Sequence, residues 1–346
     1  LIREEQRIMS KDIYVIAEQR DGKLAKVGKE LIGEATKLAA DLGEKVVGVV
    51  LGSGITEEAK NLYKYGADEV VVVDDPALAI YMTEPYAKAL TAVIKECDPN
   101  VVLFGATSIG RDLAPRVAGR VHTGLTADCT GLSIIEDEEV GKLLAMTRPA
   151  FGGNIMATIL CKHHRPQMAT VRPGVMAALK KDDSKTGEVK AIKVEFTDAD
   201  KNVEILEEVK ATKKIVDITE AKVLVSGGRG IGGPEGFDML RECAAELGGE
   251  ISSSRACVDA GWIESSRQVG QTGKTVRPDL YIACGISGAI QHVAGMESSE
   301  LVIAINKNDT AAIFGVSDLG IVGDCKVIIP KLTEALKKYN AEKESN

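Results

Sequence analysis

The stretch "LYIACGISGAIQHVAGMESSELVIAIN", residues Leu280 to Asn306, joins two apolar segments through a turn of small residues. The segments "LYIAC" and "LVIAIN" are short and apolar, which is typical of buried parallel strands. Between them, "GISGAIQH" predicts a tight turn that leads into a helix. A strand, a helix and a second strand in this order predict a unit of an open α/β sheet. Ligands of such sheets bind beyond the carboxyl ends of the strands, so we expect this turn to face a ligand.

The same alternation of strand and helix patterns extends through both halves of the chain. The first half alternates apolar runs such as "KVVGVVLG" and "EVVVVDD" with amphipathic helical stretches, and a second alternation begins at Lys222. Continuous apolar strands between helices predict doubly wound parallel sheets. Residues Thr126 to Val175 interrupt the pattern with consecutive strands and no helix. A charged stretch from Val194 to Ala221 predicts a linker and a hinge near residues 203–220, so we expect two domains, 1–215 and 216–346.

Composition excludes several classes of function. A formal charge of -8 and the absence of a basic stripe argue against a nucleic-acid partner or an anionic membrane surface. No apolar run is long enough for membrane insertion, and the first residues lack the pattern of a secretory signal. Seven cysteines are scattered without a C-x-x-C pair, which argues against a zinc site or an iron–sulfur cluster. We therefore expect a cytoplasmic protein without a metal.

The loop "GRGIGG", residues Gly228 to Gly233, follows a strand and precedes a helix, as a dinucleotide-binding loop does. The next strand, however, ends in serine and arginine instead of the carboxylate that holds a ribose. We interpret the loop as a turn that approaches a pyrophosphate, with Arg229 adding charge-assisted hydrogen bonds. A nicotinamide-dependent dehydrogenase remains the alternative function, and a nucleotide-binding scaffold without redox activity is a third.

Other predicted strand ends carry small or hydrogen-bonding residues at equivalent positions. They are Ser254 with Arg255, the segment Val269 to Gly273, the segment Ser287 to His292, Asn306, and Asp324 with Cys325. Backbone N–H groups at the turn before Gln291 favour an anion. The donors of Gln291 and His292 suit the ring oxygens of a heterocycle. A flavin gains electron density there on reduction, so these donors and a nearby guanidinium would stabilise its reduced form.

These segments resemble the electron-transfer flavoprotein alpha subunit (FixB-like) family. The block "GISGAIQHVAG" is the family's most specific signature, and "SRACVDAGW", "QVGQTGKTV" and "VSGGRG" accompany it. The resemblance extends into the first half through "GATSIGRDLAPRVAGR", "TGLTADCT" and "TRPAFGGNIMATI". The order of these blocks is most similar to members from anaerobic bacteria, some of which perform electron bifurcation.

The resemblance implies an N-terminal nucleotide-hydrolase-like domain that contacts a beta subunit, and a C-terminal Rossmann-like domain that binds FAD. It implies a carrier without catalytic residues, which passes electrons between an acyl-CoA dehydrogenase-type flavoenzyme and an acceptor such as ferredoxin or flavodoxin. Arg255 would lie against the isoalloxazine, Thr272 would donate toward N5, and His292 or Gln291 toward the O2 edge. The implied cofactor-binding residues are Arg229, Ser254, Arg255, Val269, Gly270, Gln271, Thr272, Ser287, Gly288, Ala289, Ile290, Gln291, His292, Asn306, Asp324 and Cys325.

Two motifs of the first half invite other interpretations. Arg111 and Arg116 in "GATSIGRDLAPRVAGR" could hold a phosphate, but the resemblance implies a structural and subunit-contact role instead. The histidines of "CKHHRP", His163 and His164, are adjacent in sequence and would point to different faces of a strand. We therefore expect no shared metal there.

Overall fold

The computed structural model describes residues 11–150, 155–200, 203, 205–207 and 217–344. Contacts divide the chain into two compact units, Leu1–Glu208 and Val209–Asn346. The boundary predicted between residues 215 and 216, and most of the predicted hinge, lie outside the described residues. Each unit is an α/β fold of its own, as the sequence predicts.

The first unit contains twelve named strands and four α-helices among its described residues. The strands are β1 (Ile13–Ile16), β2 (Gln19–Arg20), β3 (Lys23–Leu24), β4 (Val46–Gly52), β5 (Glu69–Asp74), β6 (Val101–Gly105), β7 (Leu125–Cys129), β8 (Gly131–Asp137), β9 (Gly141–Pro149), β10 (Met156–Leu160), β11 (Gln167–Val171) and β12 (Val189–Ala191). The helices are α1 (Lys26–Leu42), α2 (Thr56–Ala59), α3 (Thr83–Cys97) and α4 (Ser108–Val121).

Seven of these strands form one sheet in the order β12-β5-β4-β1-β6-β11-β7, and every pair in it is parallel. The run Val46–Gly52 is buried along its whole length because helices cover both faces of the sheet. Residues of α1 pack on one face, and residues of α3 and α4 pack on the other. Strands β8 to β10 form a separate antiparallel sheet, in which β10 is an edge strand.

The stretch between α4 and β12 contains no helix among its described residues, which agrees with the expected run of strands. The polar stretch "KKDDSKTGEVK" (residues 180–190) is turn and loop up to residue 188, as its composition predicts. Its end forms β12, which pairs in parallel with Val70–Val72 of β5. Backbone pairing at a sheet edge needs little apolar side-chain area, so a polar segment can form a strand there.

The second unit is built around a sheet of five parallel strands. The strands are β13 (Val223–Gly227), β14 (Glu250–Ser253), β15 (Leu280–Cys284), β16 (Val302–Asn306) and β17 (Leu319–Val322). The helices are α5 (Gly236–Glu246), α6 (Arg255–Asp259), α7 (Ile290–Val293) and α8 (Cys325–Glu344). The strand order is β14-β13-β15-β16-β17. The chain moves outward from β13 in one direction and then the other, so a crevice opens between β13 and β15 at their carboxyl ends.

Side chains from alternate positions of this sheet form two separate cores. Val225, Ile251 and Ile282 face α5 and α8, whereas Leu224 and Tyr281 face the opposite side with Val269 and Met296. None of the described helices in either unit is long and apolar enough to span a membrane.

Candidate functional site

A cavity of about 800 Å³ lies at the carboxyl edge of the five-stranded sheet. The loops that follow β13, β14, β15 and β16 supply its walls, so it occupies the crevice where strand order reverses. This volume is within the range of small-molecule and cofactor sites. The predicted residues that line the cavity are Arg229, Ser254, Arg255, Val269, Gly270, Gln271, Thr272, Ser287, Ala289, Gln291, His292 and Asn306.

The loop after β13 reaches the cavity through its backbone. The N–H of Gly230 donates to the carbonyl of Gly285 over 3.0 Å, so the two loops at the crevice are in backbone contact. A Cβ on Gly228 would lie 2.3 Å from the carbonyl oxygen of Gly285, so only glycine permits this approach. The side chain of Arg229 remains exposed beside the cavity.

The loop after β14 places a second arginine at the cavity. Ser254 precedes α6, and its N–H donates to the carbonyl of Gly227 over 3.0 Å. The side chain of Arg255 is 66% exposed, and its Nε donates to Asp259 Oδ2 over 3.2 Å. Asp259 also lines the cavity, which the sequence analysis did not predict. The carboxylate holds one edge of the guanidinium and leaves its other donors available to an anionic ligand.

The segment Gln268–Gly273 forms another wall. The N–H of Gln271 donates to the carbonyl of Gln291 over 2.7 Å, which joins this segment to α7. The side-chain amide of Gln268 donates to Thr272 Oγ1 over 3.0 Å. Because the hydroxyl oxygen accepts that bond, the hydroxyl proton of Thr272 can donate to a ligand.

The turn after β15 is held by the neighbouring strand. The side-chain amide of Asn306 donates to the carbonyl of Ile286 over 2.8 Å, and the N–H of Ile313 donates to the carbonyl of Ser287 over 3.1 Å. The helix that follows, α7, has only four residues. Gln291 is exposed at the cavity, whereas His292 is only 6% exposed.

His292 points into the protein as well as bordering the cavity. Its Nε2 lies 3.0 Å from the hydroxyl of Tyr281. Burial lowers the pKa of His292 to about 4, and the Val269 backbone opposes this shift only in part. The ring is therefore neutral at pH 7, so it offers polarity to a ligand but no positive charge.

Four predicted residues do not line the cavity. Gly288 packs against the backbone of the segment that begins at Ile313, and Ile290 is 44% exposed. Asp324 precedes α8, where its Oδ1 accepts the N–H of Lys326 over 2.9 Å and its Oδ2 pairs with Lys307. The buried thiol of Cys325 lies 3.7 Å from the carbonyl oxygen of Gly230. Gly288, Asp324 and Cys325 thus contact neighbouring loops or helix α8, and the proposed contact of all four residues with the cofactor stays a prediction.

The cavity also includes polar residues that the sequence analysis missed. Besides Asp259 they are Gln268, Asn308 and Thr310. Asn308 and Thr310 follow Asn306 in the segment "INKNDT", whose turn-forming residues directly after a strand were the available signal. The N–H of Asn308 donates to Asn306 Oδ1 over 3.0 Å, so one loop contributes all three side chains.

In the first unit, the arginines that could have held a phosphate have carboxylate partners. Arg111 Nη2 lies 3.9 Å from Asp128 Oδ1, and Arg116 Nη2 lies 3.3 Å from Glu84 Oε1. Among the described residues, no group of three histidine, cysteine or acidic side chains is arranged to hold a metal. The candidate site of this chain is thus the cavity of the second unit.

The donor set of this cavity fits a flavin nucleotide. Two guanidinium groups suit a pyrophosphate, and neutral donors such as Thr272 and Gln291 suit a heterocycle. Fold and site together define a doubly wound α/β protein that binds a nucleotide cofactor at the crevice of its second sheet.

Comparison with known proteins identifies the family. Residues 13–197 match the model of the electron transfer flavoprotein domain, and residues 217–297 match the electron transfer flavoprotein FAD-binding domain. The chain is 56% identical to the electron transfer flavoprotein subunit alpha of Thermoanaerobacterium thermosaccharolyticum, over 95% of this chain and 98% of the relative. It is 52% identical to the corresponding subunit of Megasphaera elsdenii, over 95% and 97%. It is also 43% identical to a subunit named lactate dehydrogenase (NAD(+),ferredoxin) subunit LctC of Acetobacterium woodii, over 92% and 75%.

The chain belongs to the electron-transfer flavoprotein alpha subunit family. It binds FAD and acts as a redox carrier, which confirms the cofactor and the electron-transfer function expected from the sequence. The alternative of a nicotinamide-dependent dehydrogenase is not supported. In agreement with this, "GRGIGG" forms a short 3-10 turn at Arg229–Ile231, and α5 begins only at Gly236.

Proposed function

We propose that this chain pairs with a beta subunit of the same superfamily, and that its first unit supplies the contact surface. Strand β10 supports this proposal because Met156 and Ile159 are 54% and 39% exposed. Ile155, directly before the strand, is 64% exposed. Three exposed apolar side chains on and directly before the edge strand of an antiparallel sheet are typical of a protein–protein interface.

The cavity of the second unit is the observation that carries the redox function. FAD accepts and releases electrons singly or in pairs, and this chain provides the groups that hold it and set its potential. Arg229 and Arg255 are suited to its phosphates or to its anionic reduced ring. Thr272 and Gln291 are suited to donate hydrogen bonds to ring atoms. Proton transfer to a substrate needs no residue here, because the carrier only takes up and passes on electrons.

We further propose that an acyl-CoA dehydrogenase-type flavoenzyme is one redox partner and that ferredoxin or flavodoxin is another. One relative, from Anaerotignum propionicum, is named acryloyl-CoA reductase electron transfer subunit beta, and the Acetobacterium relative carries NAD(+) and ferredoxin in its name. In the complex we infer, two NADH would supply four electrons and two protons: two electrons would reduce two ferredoxins, and the other two, with the two protons, would saturate one enoyl-CoA. The seven free thiols suit a reducing compartment, so we assign the protein to the cytoplasm.

The test is to purify the chain with its beta subunit, count FAD per complex and reduce it stepwise without oxygen. A simple carrier would contain one FAD that NADH alone does not reduce. A bifurcating complex would contain two FADs, and NADH would reduce ferredoxin only when an enoyl-CoA acceptor and its dehydrogenase are present. A complex without FAD would contradict the redox function itself.

The test of the interface replaces Met156, on β10 of the first unit, with aspartate. If β10 contacts the beta subunit, this variant should separate from the beta subunit during gel filtration while its second unit stays folded. Exposed Val203, which is not part of β10, replaced by aspartate provides a matched apolar-to-acidic change. Equal association of both variants would contradict the proposed interface.

A further inference from the structure

A group of polar side chains is buried in the second unit beneath the cavity. Tyr281, on β15, has no exposed surface, and neither do Ser226 on β13 and Ser252 on β14. Ser226 lies directly beside Ser252 on the neighbouring strand. Tyr281 lies beside Leu224, which is two residues before Ser226 on β13. The two serine hydroxyls make no hydrogen bond of standard geometry, yet they lie close enough to oppose the rise in the pKa of Tyr281 that burial causes. Buried hydroxyls need partners, so this group calls for a functional or structural explanation.

The hydrogen bond between Tyr281 and His292 connects this group to the cavity wall. The phenolic oxygen lies 3.0 Å from Nε2, and the two ring centroids are 6.2 Å apart. Since His292 is neutral, one ring nitrogen donates a hydrogen bond and the other accepts one. The partner on each side therefore decides which nitrogen carries the proton.

The backbone of Val269 indicates where that proton lies. The N–H of Val269 donates to the carbonyl of Ser253 over 2.9 Å, so the group that Val269 can offer the ring is its carbonyl, which can only accept. Nε2 has Tyr281 as its partner, which leaves Nδ1, a buried nitrogen without a bond of standard geometry, as the ring nitrogen available to that carbonyl. Nδ1 then carries the proton and Nε2 accepts from the phenol.

We propose that Tyr281 is a positioning residue for the FAD site: its hydroxyl donates to His292 Nε2 and fixes the ring as the Nδ1–H tautomer. The ring then bridges β15 and the segment that begins at Val269. The bond from Gln271 N–H to the carbonyl of Gln291 joins the same two parts of the cavity wall. The hydroxyl of Ser226 or Ser252 donates to the phenolic oxygen and completes this series of hydrogen bonds. This inference rests on FAD occupying the cavity, but the tautomer is a property of the chain alone.

The experiment is nitrogen NMR of the complex labelled with 15N-histidine. The chain contains four histidines, and subtraction of the His292→Gln spectrum isolates the signal of His292. We expect a protonated Nδ1 and an unprotonated, hydrogen-bonded Nε2, both with FAD and after its removal. A protonated Nε2 in the unmodified protein would overturn the proposal, whether or not any variant of Tyr281 or of the serines folds.

Tyr281→Phe is the informative variant because it removes only the hydroxyl. We expect a mixture of both His292 tautomers and a dissociation constant for FAD that is raised about tenfold, as loss of one buried hydrogen bond implies. Tyr86→Phe is the matched control, since the Tyr86 hydroxyl is also buried and donates to the carbonyl of Leu78 over 2.8 Å in the first unit. Its His292 spectrum and FAD affinity should not change.

An unchanged tautomer and affinity in Tyr281→Phe would refute the positioning role. If that variant does not fold, Ser226→Ala and Ser252→Ala test the same chain of hydroxyls, and the double variant should shift the tautomer ratio toward Nε2–H. Failure of every sample to bind FAD would contradict the cofactor function, and the spectra of FAD-free protein would still decide the tautomer.

Discussion

Replacing Gly288 with alanine tests how the cavity wall is assembled. Gly288 has φ of +86°, and a Cβ there would lie 2.1 Å from the backbone nitrogen of Ile313. That distance is shorter than an ordinary contact by more than about 1 Å, and both sides of the contact are backbone, so no side-chain rotation can relieve it. The segment that contains Ala311 and Ala312, which lines the cavity, would have to move.

The expected loss has two parts. A left-handed backbone conformation costs alanine about 1 kcal/mol more than glycine. Overpacking against a fixed backbone adds about 1–3 kcal/mol. We therefore expect the free energy of unfolding of the second unit to fall by about 2–4 kcal/mol. The dissociation constant for FAD should rise at least about tenfold, which corresponds to about 1.4 kcal/mol.

Gly248→Ala is the control, because Gly248 has a similar φ of +65° and no atom within 4 Å of an added Cβ. It reports the conformational part alone, so we expect a loss of about 1 kcal/mol and unchanged FAD affinity. Urea unfolding and fluorescence titration with FAD measure the two quantities. Equal effects of Gly288→Ala and Gly248→Ala on both would refute the reasoning.

Three further predictions concern charge, pH and the subunit interface. The pKa of His292 is about 4 in the folded chain and near 6.5 when the chain is unfolded. Between these two pH values the unfolded state binds more protons than the folded state. The free energy of unfolding therefore falls as the pH drops through this window, by about 1.4 kcal/mol per pH unit. Urea unfolding at pH 7 and pH 5 should show this loss, and His292→Gln should reduce it; an identical pH dependence in both proteins would contradict the low pKa. Arg255→Ala should retain FAD but lower its reduction potential, because a cation that stabilises the reduced anion is lost, and Arg255→Lys should restore part of it. A potential that does not change in a reductive titration would remove Arg255 from the site. Ile159→Asp should raise the dissociation constant for the beta subunit at least about tenfold in a titration, because a buried charge replaces an apolar contact. An unchanged dissociation constant would argue against β10 as the interface.

Much of the fold could be predicted from local patterns. Buried parallel strands require continuous apolar runs, so segments such as Val46–Gly52 can be recognised as strands from the sequence. Strand β12 could not be predicted in this way, because its pairing with β5 depends on a neighbour more than 100 residues away. The order of strands, and hence the crevice between β13 and β15, likewise follows from long-range pairing.

Part of the candidate site could likewise be predicted from the sequence, and part could not. Local sequence was enough to predict which turns carry small and hydrogen-bonding residues, because these residues are unusual directly after buried strands. The fold was needed to show that Asp259 and Asn308 line the cavity. It was also needed to show that Asp324 accepts a hydrogen bond at the start of α8 and that His292 contacts Tyr281. Side-chain direction and burial depend on what packs from distant parts of the chain, and local sequence does not encode those contacts.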